Sequence, residues 1–439
     1  MGEINLRKHL CADALFDTLH SGFDKIPDIR ARESIISISD ALMSGFAMFS
    51  LKDSSLLAFD KRRNDENLKK IYKITLIPSD TQMRELLDCI EPDTIAPLFA
   101  DVFREFQRGK LLEDYVYLNG CYLLSVDGSG YFSSNDVHCD SCLEKKNKKT
   151  GEITYHHQML GAVIVHPDIK EVIPLAPEPI IKQDGDTKND CERNASKRFV
   201  EKLRKQHPHL PLIVVEDALA SNAPHISELK KHNLHYILGV KEGDHSYLFN
   251  HVERAAKEGL TTEIINKNEA GEVISRFRFI NQVPLNESNQ DTLINFLEYW
   301  ETKKGKTIHF SWITDITVTD ENKTKIMRGG RARWKIENET FNTLKNQGYN
   351  FEHNYGHGKQ NLSVVFAVLM MLAFLVDQIQ QHACPLFQAV LDKYGCKRDV
   401  WENMRSMFRL LQFDTMEKIF KAMVYGYKIQ GFVILDGHT

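Results

Sequence analysis

A chain of 439 residues can hold two or three domains and bury a sizeable core, and its 42% hydrophobic, 26% charged composition is ordinary for a soluble globular protein. Met1–Leu15 mixes charges with scattered apolar side chains, unlike a signal peptide, and the longest apolar run, Val364–Val376, is 13 residues, too short to span a bilayer, so no membrane is expected. A formal net charge of −4 excludes a chain that is basic throughout, though nucleic-acid binding needs only a local basic face.

Residues 1–115 read as helical. Amphipathic runs at Arg32–Phe49 and Thr94–Phe106 flank Ile77–Arg84, where Pro78 and Ser79 are helix-entry signals. Ser79–Ala96 can form a helix-turn-helix, but no recognition helix stands out, so an ordinary helical subdomain and a DNA-binding one stay open.

Residues 116–243 change character. An Asn119-Gly120 turn precedes Cys121–Val126, a near-continuous apolar run that suggests a strand buried on both faces, with Asp127 at its end before Gly128 and Gly130. Met159–Val165 and Glu171–Ile180, on either side of His166-Pro-Asp168, read as the next two strands of an antiparallel meander. The intervening hairpin carries His138, Cys139, Cys142, His156 and His157. Cys-x-x-Cys with a downstream histidine is a zinc-like pattern, yet adjacent histidines seldom both reach one ion. The competing reading is a polar loop with two ordinary thiols, since eight scattered cysteines without secretory context predict reduced thiols in a cytoplasmic protein.

A charged helical crossover, Gln183–Arg204, leads to Leu210–Asp217, a second apolar strand ending in acid. Glu216 and Asp217 point to opposite faces, so one of them can serve a shared site. Ser221–Pro224 has good cap chemistry for a helix, and Leu234–Val240 is a further strand. Strands, crossover helix, strand with terminal acid and helix suit a mixed α/β sheet. Residues 244–320 turn to short alternating strands such as Arg276–Phe279 and His309–Ile316, a β-rich insertion. Phe310 and Trp312 lie on one strand face, as core or as aromatics able to stack on an extruded base.

Residues 321–384 carry the stretch Arg331–Lys345. At about 100° per residue, Trp334, Glu337, Phe341 and Leu344 fall on one helical stripe, so an inward apolar stripe carries one carboxylate with it. Arg333 sits one turn before Glu337, in reach of an i,i+4 contact. Lys323, Lys325, Arg328, Arg331, Arg333 and Lys335 crowd the approach, as a polyanionic partner would require; the plain alternative is a surface helix with an ion pair at its edge. Glu352–Lys359 is a glycine-punctuated loop with two histidines and no phosphate-loop spacing. Residues 385–439 read as a small helical module with basic positions Lys393, Lys397, Arg398, Arg405 and Arg409.

Arg-Trp-x-Ile-Glu followed by Phe-x-x-Leu-Lys resembles the signature of bacterial insertion-sequence DDE transposases of the insertion-sequence-four, hairpin-forming, cut-and-paste type. That signature has a Tyr, an Arg three residues on, a Glu four later and a Lys seven beyond it. Arg333 and Glu337 keep the spacing, Gly330 stands where the Tyr belongs, and Lys345 comes one residue late. A π-bulge between Glu337 and Lys345 would absorb that residue; otherwise Arg331 or Lys335 is expected to take the phosphate contact. The resemblance implies an RNase H-like core with Asp127, Asp217 and Glu337 as a triad. Three convergent carboxylates suit two Mg²⁺ or Mn²⁺ ions about 4 Å apart acting on a phosphodiester. It also implies DNA contacts from Arg331, Arg333, Lys335 and Lys345, and an insertion aromatic on a flipped base, a place that Phe310 fits better than Trp312. Element ends bound by residues 1–115, a target DNA, a homodimer on DNA and a bacterial, nucleoid-associated location follow from the same resemblance. An inactive DNA-binding descendant and a metal-dependent nuclease without strand transfer are the alternatives.

Overall fold

The computed structural model describes residues 9–28, 30, 35–182, 191–303 and 305–428. The core begins with β1 (Val116–Leu118), which turns through Asn119 and Gly120 into the 14-residue β2 (Cys121–Ser134). Both turn residues have positive φ, 54° and 75°, which Asn and Gly adopt readily in a two-residue hairpin. The extension of β2 returns through β3 (Leu143–Lys146) into β4 (Ile153–His166). The expected third strand is two pieces, β5 (Ile169–Pro174) and β6 (Glu178–Ile180), both antiparallel to β4 and separated by a segment ending in Pro177.

The crossover helix starts at Glu192 and runs to Gln206; residues 183–190 of the expected crossover lie outside the described residues. It delivers β7 (Leu212–Glu216) parallel to β2. Asn222 caps the helix Ala223–Lys231, with Pro224 in its first turn, and β8 (His235–Gly239) follows parallel to β7. The order β5–β4–β2–β7–β8 is a three-stranded meander extended by two parallel strands, an RNase H-like mixed sheet.

The insertion differs from expectation in two ways. It opens with a helix, Ser246–Lys257, and its strands are mostly long: β9 (Thr262–Lys267), β10 (Val273–Asn286), β11 (Asn289–Lys303) and β12 (Lys306–Thr314). β12 pairs antiparallel with β8, so the insertion continues the core sheet to twelve strands. Inside it, the buried Arg278 donates to the buried Glu298 at 2.7 Å, and Glu298 also accepts from His309 at 3.0 Å when that ring carries the proton.

The apolar run at 364–376 belongs to a 22-residue helix, Leu362–Ala383, long and apolar enough by composition to cross a membrane, yet almost wholly buried within the protein. It packs against the N-terminal helix Ile38–Ser50 and against β5. The candidate segment Ser79–Ala96 forms the helix Asp80–Asp88, started by a Ser79/Gln82 capping box, then a 3₁₀ turn and the first residue of the helix Ala96–Arg108. The C-terminal region is helical at Pro385–Tyr394, Lys397–Leu410 and Met416–Tyr425, and residues 429–439 lie outside the described residues.

Candidate active site

Asp127 does not end its strand as expected, because β2 runs on to Ser134 in its pairing with β4, but register still sets it beside Asp217 where the pairing of β2 with β7 stops. β2 and β7 are parallel, their last paired residues are Ser125 and Val215, and each acid stands two residues further on. Adjacent strands lie about 4.8 Å apart, so the acids are neighbours at the place where open α/β sheets bind ligands. Asp217 also caps the 3₁₀ turn Ala218–Ala220, accepting from the Leu219 N–H at 2.9 Å. Its neighbour Glu216 is engaged elsewhere, 2.6 Å from His225 Nε2.

The third acid comes from an interrupted helix. The regular helix Lys323–Ala332 gives way at Arg333, whose carbonyl accepts from Ser125 Oγ at 2.9 Å, and a π-helical stretch, Ile336–Phe341, precedes a short α-turn, Asn342–Asn346. Ile336, Phe341 and Leu344 are buried, but Trp334 leaves the expected inward stripe and is 48% exposed, its ring covered by the Arg333 guanidinium at 4.5 Å. The break at Arg333 and the wider π turn rotate Trp334 away from the sheet.

Arg333 Nη1 donates to Glu337 Oε1 at 2.8 Å and to Asp127 Oδ2 at 3.3 Å, tying two of the three acids to one guanidinium. Burial pushes the Asp127 carboxyl up, to about 7, against the pull of Arg333, and Glu337 adds to the rise. Glu192, in the first turn of the crossover helix, sits directly over Gly128; burial raises its carboxyl as well, with Asp217 and Glu216 adding repulsion. A pocket of about 300 Å³ is lined by Asp127, Glu192 and Asp217. Glu192 escaped the sequence reading because neither spacing nor flanking motif marks it.

A second pocket, about 350 Å³, lies on the other side of Asp217 and is lined by Phe310, Trp312, Arg331, Arg333 and Trp334. Arg331 pairs with Glu301 at 3.1 Å and covers the Phe310 ring at 5.0 Å. Phe310 is half-buried and stacks on Trp312, which is only 5% exposed. Lys335 and Lys345 belong to neither pocket: Lys335 donates to the Ile169 carbonyl at 2.6 Å, and Lys345 pairs with Glu352 at 2.8 Å. The basic approach to Glu337 is also more compensated than its sequence suggests, because Lys323 pairs with Asp320 and Arg328 with Asp168.

All the acids offer hard oxygen donors, and a cation bound among them would offset the burial, and the smaller mutual repulsion, that raise Asp127 and Glu192. The donor chemistry therefore fits a divalent ion such as Mg²⁺ or Mn²⁺.

Residues 137–375, more than half of the chain, match the family model described as Transposase DDE domain. The chain belongs to the DDE-domain transposase family. The matched stretch contains Asp217 and Glu337 and begins shortly after Asp127. No curated protein matches the chain. Among solved structures it is similar to piggyBac transposase in a synaptic complex with hairpin DNA, with a TM-score of 0.39, 11% identity, and 97% of this chain and 86% of that one covered, a likeness too loose to argue from.

Within this DDE-domain chain, two glycines set how closely the helix of the last acid meets the sheet. A side chain at Gly330 would overlap the Trp312 indole of β12. Gly161 of β4 pairs with Asp127 across the sheet, and a Cβ there would stand 2.8 Å from the Phe341 ring. Gly161→Ala is therefore expected to push the π turn outward and part Glu337 from Asp127. Displacements near 1 Å cost catalysis about 100-fold, so a loss of roughly 10- to 100-fold in cleavage is expected, recovered in part by adding Phe341→Leu. A Gly161→Ala protein cleaving at the parental rate would show that this approach does not position the acid.

Proposed function

We propose that this chain is a cut-and-paste DNA transposase of the insertion-sequence-four type, from a bacterial insertion sequence, that cuts and rejoins DNA at Asp127, Asp217 and Glu337. The observation that carries this reading is the shared guanidinium: Arg333 holds Glu337 and Asp127 together beside the strand end that bears Asp217. Family membership supports the reaction class.

The three acids would hold two Mg²⁺ or Mn²⁺ ions, which when bound activate a water or 3′-hydroxyl and stabilise the leaving oxygen. The remaining roles fall to the chain itself. Arg333 orients the two carboxylates and can meet a phosphate through its guanidinium, a positioning role rather than that of an acid or base. Arg331 and Phe310 line the pocket on the far side of Asp217, where a displaced base can stack on the ring once the guanidinium turns to phosphate. Lys335 and Lys345 are bound to protein partners in the free chain and would exchange them for phosphate oxygens. In this reading residues 1–115 recognise the element ends and the chain acts as a homodimer on DNA.

The test is incubation with double-stranded DNA carrying the element's own ends and Mg²⁺. Joined products are expected. Nicks without joining would select a nuclease, and a gel shift without cleavage an inactive DNA-binding descendant.

A further inference from the structure

The hairpin between β2 and β4 ends in a cluster that the transposition chemistry does not use. Cys139 and Cys142 from the hairpin, His157 from β4 and His357 from the glycine-punctuated loop are all buried, and one ligand atom from each lies within 4.8 Å of every other. Cys139 Sγ and Cys142 Sγ are 3.8 Å apart. His157 Nε2 is 3.3 and 3.4 Å from those sulfurs, and His357 Nε2 is 3.2 Å from Cys142 Sγ.

These separations match the edges of a metal tetrahedron. With Zn–S near 2.3 Å and Zn–N near 2.0–2.1 Å, tetrahedral angles place two sulfurs about 3.8 Å apart and a sulfur and a nitrogen about 3.5 Å apart. A disulfide would bring the sulfurs to about 2.05 Å, so the pair is reduced. The Cys139 N–H also points at Cys142 Sγ, 3.4 Å away, favouring a thiolate there. Both imidazoles turn Nε2 to the sulfurs although each buried Nδ1 has no hydrogen-bond partner among the described residues, a costly arrangement unless something stronger than a thiol holds the rings.

We infer that Cys139, Cys142, His157 and His357 bind one structural Zn²⁺ that pins the hairpin extension of the catalytic sheet to the loop preceding the helix Leu362–Ala383. Two thiolates and two imidazoles select a borderline-soft ion and discriminate against the Mg²⁺ suited to the carboxylates. Four buried protein ligands leave no open position, as in structural sites. The ion completes a seam already begun by hydrogen bonds: the Asp140 N–H donates to the Lys359 carbonyl at 3.0 Å, and Asp88 accepts from the backbone N–H groups of Lys359, Gln360, Asn361 and Leu362. The hairpin, the loop after the last acid and the N-terminal helices thus meet at one point. Of the histidines first considered, His138 instead stacks on Tyr155 and His156 is outside the cluster.

The full chain, purified under reducing conditions from zinc-supplemented medium, is expected to carry one zinc per chain by elemental analysis. Its cobalt-exchanged form should give the visible ligand-field bands of a tetrahedral site with two thiolates. Cys142→Ser and His357→Ala should each lose the zinc, while Cys89→Ser, an exposed thiol elsewhere, should keep it. Reduced protein with little or no zinc and no such cobalt bands would overturn the assignment, as would zinc retained in both ligand variants. Should the variants fail to fold, the stoichiometry and cobalt spectrum of the parent chain decide. Neither readout depends on DNA cleavage.

Discussion

Asp127→Asn, Asp217→Asn and Glu337→Gln are each expected to lower Mg²⁺-dependent strand cleavage by roughly 1,000-fold, the scale on which removing a preorganised electrostatic contact acts. The substitutions are nearly isosteric and change one oxygen donor each. Arg333 donates to both Asp127 and Glu337, so neutralising either still leaves it a carboxylate partner and the fold is expected to stay intact. Nicking of end-bearing DNA, read beside the circular-dichroism spectrum and melting temperature, separates the two effects. A folded variant at any of the three positions retaining a tenth of parental cleavage would remove that residue from the catalytic set. The same assay on Glu192→Gln asks whether this carboxylate, which lines a pocket with Asp127 and Asp217, belongs with the three acids.

The second large effect is on stability. Lys52, buried two residues past the helix Ile38–Ser50, donates to Asp377 of the helix Leu362–Ala383, and Tyr349 donates to the same carboxylate oxygen. The ammonium also lies 4.2 and 4.4 Å from the Trp401 and Tyr349 ring centroids. Removing one partner of a buried pair strands the other charge and costs about 3–5 kcal/mol. Asp377→Ala is therefore expected to lower the denaturation midpoint sharply, out of a total of only about 5–15 kcal/mol for a typical domain. The double replacement Lys52→Met with Asp377→Leu should recover most of the loss, because no charge is then left buried. Urea titrations of the three proteins measure this, and an Asp377→Ala midpoint equal to the parent's would show that the pair contributes nothing.

The strands bearing Asp127 and Asp217 were legible as apolar runs closed by an acid, but β2 does not turn at Gly128 and Gly130 as expected: both glycines stay paired to β4 and the strand runs on to Ser134. The parallel direction of β2 and β7 follows from the crossover helix that precedes β7. Arg333 and Glu337 were legible because four residues along a helix is a contact distance. Other features depend on residues far apart in sequence. Nothing near Cys139 announces His357, more than two hundred residues away, and the exposure of Trp334 follows from a helix break whose tether, Ser125, is equally remote. The pairing of Arg331 with Glu301 and Arg328 with Asp168 is likewise tertiary, so a run that reads as bare positive charge is partly neutralised in the folded chain. The extra residue before Lys345 is different: the π-helical stretch Ile336–Phe341 contains Glu337 and precedes Lys345, so it widens the turn that the one-residue offset called for.

The union of insertion and core into one sheet has a consequence for synthesis on the ribosome. β8 is complete at Gly239, but β12, which covers its free edge, begins only at Lys306. At about 5–20 residues per second, the nascent chain carries an open, apolar β8 edge for roughly 3–13 seconds, when pairing with another nascent chain competes with pairing to β12. Glu337 emerges later still, so a polypeptide interrupted anywhere in the insertion holds Asp127 and Asp217 without the third acid. Incomplete translation products would thus be sticky and, if the three acids are the proposed catalytic set, inert.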